Sequence, residues 1–163
     1  MSKSYSDIYR NIDFRKHPEK YKIGRGEQGV LTAEPYKSEI LPYWRFATPE
    51  KAEESAEKIL ELFYSYKTQR DFIGMDMARK FLQMGYTRSR RYANHKSGKK
   101  YDGPVPASKK GQSGAHGRAE LSKSEEDVEK SKSAQIFYHR YEIVKNDEEY
   151  QTLKMQHQQR VMP

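Results

Sequence analysis

Apolar residues recur at three- and four-residue intervals between residues 48 and 66, as they do along the buried face of an α-helix. Thr48 suits the N-cap position and Pro49 the first helical position, and glutamates fill the early turns, where the helix dipole favours negative charge. We therefore predict a helix from Thr48 to about Tyr66. Its buried face consists of Ala52, Ala56, Ile59, Leu60 and Phe63.

A second apolar stripe predicts a helix from about Gln69 to Met84, in which Gly74 would allow a partner helix to approach closely. Gly85 is predicted to end this helix in a left-handed cap, and Thr87 to begin a short third helix that reaches Asn94. A helix-turn-helix reader is disfavoured, because the short helix lacks apolar residues on its inner side. The polar residues of the second helix share a single face: Asp76, Arg79, Lys80 and Gln83.

The flanking segments have a different character. Residues 1–47 contain several prolines and show no helical periodicity, so we expect irregular structure with a short strand at Val30–Ala33, and with Trp44 and Phe46 covering the core. Residues 96–132 are rich in Gly, Ser and Lys and predict a long flexible loop. Helical spacing returns from about Ser133, with Asn146 ending one helix and Asp147 capping the last.

These elements predict a mainly α fold of the α+β class: a small helical domain with a short β or irregular N-terminal part and a long basic loop. We treat residues 1–163 as a single domain. It divides into an N-terminal part (1–47), a helical core (48–95), a flexible basic loop (96–132) and C-terminal helices (133–163).

Composition narrows the classes of function. The chain has no cysteine, which excludes disulfides, thiolate catalysis and Cys-based zinc sites. It has no apolar run of the roughly 20 residues that cross a bilayer and no stretch that resembles a signal peptide. We therefore expect a cytoplasmic protein without a membrane partner. Tyrosine supplies 13 of the aromatic residues and suits a shallow core, because its hydroxyl keeps a hydrogen bond while its ring is buried.

Positive charge is concentrated in one part of the chain. Residues 79–118 carry eleven Lys or Arg against one acidic residue, a net charge of +10, whereas the remaining residues together carry −2. Concentrated positive charge predicts a polyanionic partner, and interleaved aromatic residues favour nucleic acid. The predicted phosphate contacts are Arg79, Lys80, Arg88, Arg90, Arg91, Lys96, Lys99 and Lys100, with Tyr92 stacking on a base.

Intramolecular ion pairing is the alternative explanation of this charge. The arginines could pair with the glutamates of the first predicted helix. The acidic stretch at residues 125–129 could likewise fold back on the lysines of the loop. Either arrangement would leave less charge for an external partner.

The glycine-rich segment 24–29 has the spacing of a dinucleotide-binding fingerprint, but no helix is predicted after it. We consider Gly24, Arg25, Gly26 and Gly29 as an anion-binding loop, against the simpler explanation of a turn that needs positive backbone angles. The five histidines show no spacing typical of a metal site. We therefore assign no metal ligand, no cofactor and no catalytic residue.

Several long segments resemble a protein family that occurs in bacteria and in tailed bacteriophages, including T4-like phages and cyanophages, and that is known as a domain of unknown function. The resemblance covers roughly residues 12–155 and implies no particular reaction, ligand or catalytic residue. The segments that carry it are Ile12–Arg15, His17–Pro18, Gly24–Val30, Pro35–Pro42, Trp44–Phe46, Met75–Gly85 and Arg90–Lys96.

The sequence thus predicts a non-enzymatic, largely non-sequence-specific nucleic-acid-binding accessory protein that acts in the cytoplasm, or in the host cytoplasm if it is phage-encoded. Two alternatives stay open. One is an enzyme that acts on a phosphorylated small molecule through the loop at Gly24–Gly29, with a pocket that joins this loop to Arg45, Arg91 or His95. The other is a phage protein-interaction module whose loop binds an acidic protein surface. The sequence does not determine an oligomeric state.

Overall fold

The computed structural model describes residues 9–23, 30–95, 99–109 and 114–161, and this part of the chain is mainly α-helical. The described residues also include four short 3₁₀ helices, which lie before or between the α-helices. The β structure of the described residues is limited to two isolated bridges. The predicted class, a small mainly α domain, is confirmed. The α-helices are α1 (Tyr36–Ile40), α2 (Pro49–Thr68), α3 (Phe72–Asn94), α4 (Val128–Lys145) and α5 (Glu148–Val161).

Helix α2 begins where the sequence predicts. The hydroxyl oxygen of Thr48 accepts a hydrogen bond from the backbone amide of Lys51 at 3.2 Å, and Pro49 occupies the first turn. The helix continues to Thr68, two residues beyond the predicted end at Tyr66. Its predicted apolar face is buried throughout.

The two helices predicted between residues 69 and 94 are one continuous helix. Helix α3 starts at Phe72, with the carboxylate of Asp71 accepting from the amide of Gly74 at 3.2 Å, and it passes through Gly85 without a break. The prediction that Gly85 ends a helix is therefore wrong. A Cβ atom at Gly85 would overlap the ring of Phe137 on α4, so this glycine permits close packing of two helices.

Helices α2, α3 and α4 pack against one another and form the core, and α3 lies against both of the others. A Cβ atom at Gly74 would overlap the ring of Tyr66 on α2, which confirms the predicted close approach of a helix at that glycine. Helix α5 packs against the start of α3, where Tyr150 and His157 contact Phe72. The second half of α3 is covered in part by α4, and the loop that precedes α4 lies against its end.

The N-terminal segment is more helical than the sequence predicts, because it contains α1 and three short 3₁₀ helices. The expected strand is absent from the described residues: Val30–Thr32 is a 3₁₀ helix, and the β pairing described for this segment is an isolated parallel bridge between Asp13 and Glu34. Trp44 and Phe46 are partly buried against the core, which confirms that they cover it. The segment is held in place mainly by buried aromatic rings rather than by a sheet.

The basic loop has more internal order than its composition suggests. An isolated antiparallel bridge joins Tyr101 to Glu120, and the guanidinium of Arg118 donates hydrogen bonds to three backbone carbonyl oxygens of the loop. Helix α4 starts at Val128 instead of Ser133. The carboxylate of Asp127 accepts from the amide of Lys130 at 3.1 Å and so caps a turn that the polar sequence concealed.

We expect Gly85→Ala to destabilise the protein by about 1–3 kcal/mol, because the added methyl group overpacks the contact between α3 and Phe137. Helix propensity acts in the opposite direction and favours Ala over Gly by roughly 1 kcal/mol. Urea unfolding followed by circular dichroism measures the difference. A double variant, Gly85→Ala with Phe137→Leu, should lose less stability than the sum of the two single variants. Strict additivity would contradict the proposed contact.

Candidate functional site

The first half of α3 carries a buried ion cluster, defined here as Tyr21, Asp76, Arg79, Lys80 and Tyr150. Asp76 and Lys80 are 0% and 1% exposed and Arg79 is 7% exposed. Arg79 Nη2 lies 2.6 Å from Asp76 Oδ1, and Lys80 Nζ lies 3.9 Å from Asp76 Oδ2. The side chains of Arg79 and Lys80 are therefore buried partners of Asp76, and their predicted role as phosphate contacts is wrong. The face that the sequence suggested to be polar is buried at these positions.

Two tyrosine hydroxyls complete the cluster. Tyr21 donates to Asp76 Oδ2 at 2.5 Å, and Tyr150 donates to Asp76 Oδ1 at 2.6 Å. The same use of tyrosine recurs at the ends of α2 and α3, where Tyr36 donates to Asp71 and Tyr66 donates to Glu39. Each hydroxyl satisfies a carboxylate within a partly apolar environment, as expected for a core rich in tyrosine.

Burial and charge set the protonation of the cluster. Burial alone would raise the pKa of Asp76, but the positive charges of Arg79 and Lys80 and the two tyrosine hydroxyls hold this pKa well below its usual range. Burial lowers the pKa of Lys80 to about 8, despite the opposing charge of Asp76. Burial raises the pKa of Tyr21 and of Tyr150, and the Asp76 carboxylate raises both further.

The second half of α3 presents its charges to solvent. Arg88 is exposed and Arg91 is partly exposed, and no ion pair joins either guanidinium to a carboxylate within the described residues. Tyr92, 38% exposed, lies one turn beyond Arg88. Arg90 differs, because its guanidinium is 3.3 Å from Glu126, 3.0 Å from the hydroxyl of Ser131 and 3.4 Å from Asn94. Arg90 is thus held in place by its neighbours.

An open hollow of about 440 Å³ lies beside Tyr92. We call it the aromatic hollow; its walls carry three cations and no acidic residue. The ring of Phe46 is 6.2 Å from that of Tyr92, and Lys130 Nζ lies 5.9 Å from the centre of the Tyr92 ring. This combination of exposed ring and nearby cations suits a stacked base next to a phosphate. The lining residues are Arg45, Phe46, Ala47, Lys51, Tyr92 and Lys130.

We call Arg88, Arg91 and Tyr92 the exposed arc of α3. On the side of this arc away from the aromatic hollow, a cleft of about 420 Å³ lies between α3 and the loop. We call it the basic cleft. At about 3.6 residues per helical turn, Arg91 lies at its edge and Arg88 lies between the cleft and the aromatic hollow. By this spacing the exposed arginines of α3 lie between the two concave surfaces. The charged and titratable residues of the cleft are Arg90, Arg91, His95, Lys100, Glu120 and Lys123.

Backbone hydrogen bonds hold the loop against α3. The amide of Ser124 donates to the carbonyl oxygen of Asn94 at 2.7 Å, and the amide of Asp127 donates to that of Ala93 at 2.9 Å. Within the loop, the amide of Leu121 donates to the carbonyl oxygen of Lys100 at 2.7 Å. These bonds satisfy the last carbonyls of α3 and fix the outer wall of the basic cleft.

The expected intramolecular pairing occurs only in part. The glutamates of α2 do not neutralise the basic segment, because Glu53 and Glu57 both contact Arg140 of α4. Of the acidic stretch that precedes α4, Glu126 pairs with Arg90. Lys99 is exposed and Lys100 is partly exposed. Lys96 and the predicted anion loop, with Gly24, Arg25, Gly26 and Gly29, lie outside the described residues.

Sequence reasoning missed several residues of this region. Arg45, Lys51 and Lys130 come from three separate elements, so only the fold brings them to Tyr92. Lys123 likewise reaches the cleft through the course of the loop. The sequence did contain a signal for the buried ion cluster, because opposite charges at i, i+3 and i+4 stand among Met75, Met77 and Phe81.

A family model described as a domain of unknown function, DUF4385, matches residues 4–160. The chain belongs to the DUF4385 family. This family assignment agrees with the resemblance found in the sequence and states no activity. A search of curated proteins and a search of solved structures each gave no match for this DUF4385 chain.

Two further observations concern the part of the DUF4385 chain that the structure describes. No helix in it is long and apolar enough to span a membrane. It also contains no group of three or more His, Asp or Glu side chains placed to hold a metal ion.

The lowered pKa of Lys80 predicts a specific pH dependence. Between about pH 8 and pH 10 the unfolded chain binds more protons at this lysine than the folded chain, so the free energy of unfolding should rise with pH, by at most about 3 kcal/mol. Above about pH 10 the trend should reverse, because unfolding then allows Tyr21 and Tyr150 to ionise.

Urea unfolding at a series of pH values tests this dependence. Lys80→Met should remove the rise between pH 8 and pH 10, whereas Lys51→Met, at an exposed position, should keep it. An unchanged rise in Lys80→Met would show that another group is responsible.

Proposed function

We propose that this protein is a non-enzymatic, largely non-sequence-specific nucleic-acid-binding accessory protein. The observation that carries the proposal is the exposed arc of α3, where Arg88 and Arg91 have no ion pair within the described chain and stand beside the exposed ring of Tyr92. Guanidinium groups bind phosphates through paired hydrogen bonds, and a neighbouring aromatic ring offers a face to a base.

The aromatic hollow favours a single strand over a duplex. Tyr92 and Phe46 can stack only on a base that is not already paired and stacked on both sides, while Arg45, Lys51 and Lys130 are positioned around them for phosphates. The loop lies against one side of α3, so this helix is not free to enter the major groove as a recognition helix. Both features support binding with little sequence preference.

The proposal includes the cytoplasm as the place of action, of a bacterium or of a phage-infected host, because single-stranded intermediates of nucleic-acid metabolism arise there. The alternative of an acidic protein partner would use the same cations, but it gives no role to the exposed Tyr92. The alternative of an enzyme depends on Gly24–Gly29, which lies outside the described residues. We therefore favour nucleic acid.

Replacing both Arg88 and Arg91 by Ala should flatten the salt dependence of binding. The slope of log K against log salt should fall in magnitude by roughly 1.4 on a single strand, about 0.7 for each phosphate that the variant no longer neutralises. Fluorescence anisotropy with a labelled 20-nucleotide strand at several salt concentrations measures this slope.

The matched control removes the same charge elsewhere. Lys16 and Lys20 are exposed and flank Pro18, which lies near the first turn of α3, at the opposite end from Arg88 and Arg91. Lys16→Ala with Lys20→Ala should leave the slope nearly unchanged. Equal slopes for the two double variants would refute the assignment of Arg88 and Arg91.

Tyr92→Ala should weaken binding of a single strand by about tenfold or more, since base stacking on an aromatic ring contributes roughly 1–3 kcal/mol. Tyr92→Phe keeps the ring and should retain most of the affinity. Tyr64→Ala serves as the control, because Tyr64 is similarly exposed, at 43%, and lies towards the far end of α2. Affinity that is insensitive to Tyr92→Ala would exclude stacking at the aromatic hollow.

A further inference from the structure

The basic cleft contains a buried histidine with an unused hydrogen-bonding atom. His95 lines the cleft directly after the last residue of α3, and its residue is only 4% exposed. Its Nδ1 atom is buried and has no hydrogen-bond partner in the described part of the chain. Three other buried side-chain atoms, in Trp44, Ser89 and Ser133, also have no partner in the described part of the chain, but these residues do not line the cleft. Buried polar atoms are usually satisfied in folded proteins, so the unused atom of His95 at the wall of the cleft is the one placed to gain a partner from a bound molecule.

The charge of the cleft indicates the sign of that partner. Arg90, Arg91, Lys100 and Lys123 line the cleft together with one carboxylate, that of Glu120. The Lys, Arg and Glu side chains that line the cleft sum to about +3 at neutral pH, and to about +2 when Glu126, which pairs with Arg90, is included. A phosphomonoester carries a charge of about −1.5 to −2 at pH 7, and a phosphodiester in a strand carries only about −1. The excess positive charge thus matches a terminal phosphate better than an internal one.

The cations of the cleft differ in how they are held. Arg90 is anchored by Glu126, Ser131 and Asn94 and contributes a fixed positive wall. Arg91 is partly exposed at the edge and has no ion pair within the described residues. Its guanidinium is therefore available for a two-point contact with phosphate oxygens, as Arg geometry allows.

The remaining walls suit the nucleoside that accompanies such a phosphate. The cleft also includes Tyr86 and Tyr101, and its volume of about 420 Å³ lies within the range of roughly 300–1,000 Å³ that is typical of small-molecule sites. The guanidinium of Arg118, which lies 5.0 Å from the centre of the Tyr101 ring, is tied to backbone carbonyl oxygens of the loop. The ring is thereby held at the wall of the cleft.

From these observations we infer that the basic cleft is a binding site for a nucleotide phosphomonoester, with His95 and Arg91 donating hydrogen bonds to its phosphate oxygens. For this role His95 donates through a proton on Nδ1. Two sources share this chemistry: the phosphorylated end of a nucleic-acid strand and a free mononucleotide. The strand as a source rests on the proposed function, whereas the mononucleotide does not.

The first experiment compares three single strands of one sequence that carry a 5′-phosphate, a 3′-phosphate or only hydroxyl ends. At least one phosphorylated strand should bind about tenfold more tightly than the hydroxyl strand, the increment expected from charge-assisted hydrogen bonds to the added phosphate. Lys100→Ala with Lys123→Ala should abolish the preference. The control, Lys109→Ala with Lys132→Ala, removes two exposed lysines that do not line the cleft and should keep it.

The second experiment measures binding of adenosine monophosphate, adenosine and inorganic phosphate by titration calorimetry. Adenosine monophosphate should bind, adenosine should bind at least about tenfold more weakly, and inorganic phosphate should compete. The imidazole signals of His95, identified by their loss in His95→Gln, should shift when the monophosphate is added. Because His95 is buried, the lysine variants keep the test valid if His95→Gln unfolds.

The outcomes separate this inference from the proposed function. Strand binding without any preference for a phosphorylated end, together with no binding of the monophosphate, would overturn the inference and leave the proposed function intact. Binding of the monophosphate without strand binding would support the inference and refute the proposed function. A preference that the lysine control also abolishes would reduce the effect to bulk charge and overturn the inference.

Discussion

The arrangement of the described chain depends on the contacts that the carboxylate of Asp76 makes. This carboxylate accepts hydrogen bonds from Tyr21 in the N-terminal segment and from Tyr150 on α5, and it pairs with Arg79 on its own helix. Three parts of the chain that are far apart in sequence therefore meet at one charge with no solvent exposure. Removing one charged member of such a network leaves the opposite charge buried and unpaired, which is strongly destabilising. The complete network contributes more to the relative orientation of the segments that it joins than to net stability. This network joins α5 and the N-terminal segment to α3 at one point, and the buried aromatic rings around it supply most of the packing.

The same network divides α3 into two halves with different roles. Arg79 and Lys80 are used within the molecule, where both face the single carboxylate of Asp76. About two turns later, Arg88 and Arg91 meet no such carboxylate within the described chain. The nearby acidic stretch does not alter this, because it contacts the end of α3 chiefly through the backbone amides of Ser124 and Asp127, and its carboxylates engage Arg90 and the cap of α4. An acid-rich segment can therefore lie next to a basic helix without neutralising it.

The sequence predicted the features that depend on local physics. The cap at Thr48, the buried face of α2 and the cap at Asp147 follow from propensity and periodicity alone, and the structure confirms each one. Prediction from the sequence failed where a contact between distant parts of the chain decides the local structure. Gly85 is compatible with a helix end or with a close helix crossing, and only Phe137 from α4 determines which applies. The polar stripe on α3 was likewise ambiguous, because charges that are balanced inside a core and charges that face water have the same spacing along a helix.

The residues of the candidate site could also be predicted from the sequence only in part. The basic segment indicated which helix matters, since local charge density is a property of sequence. It could not show that Arg45 and Lys51, from the segment before α2 and its first turn, stand beside Tyr92, nor that His95 is buried with an unpartnered Nδ1. The first arrangement follows from the packing of the segment before α2 on α3, and the cleft beside His95 depends on the hydrogen bonds that hold the loop against α3. Because these bonds use the carbonyls at the end of α3, the element that ends the helix also forms a wall of the cleft. The sequence placed the end of the helix at Asn94, as the structure does, but it could not place the loop whose amides meet these carbonyls and form the wall of the cleft.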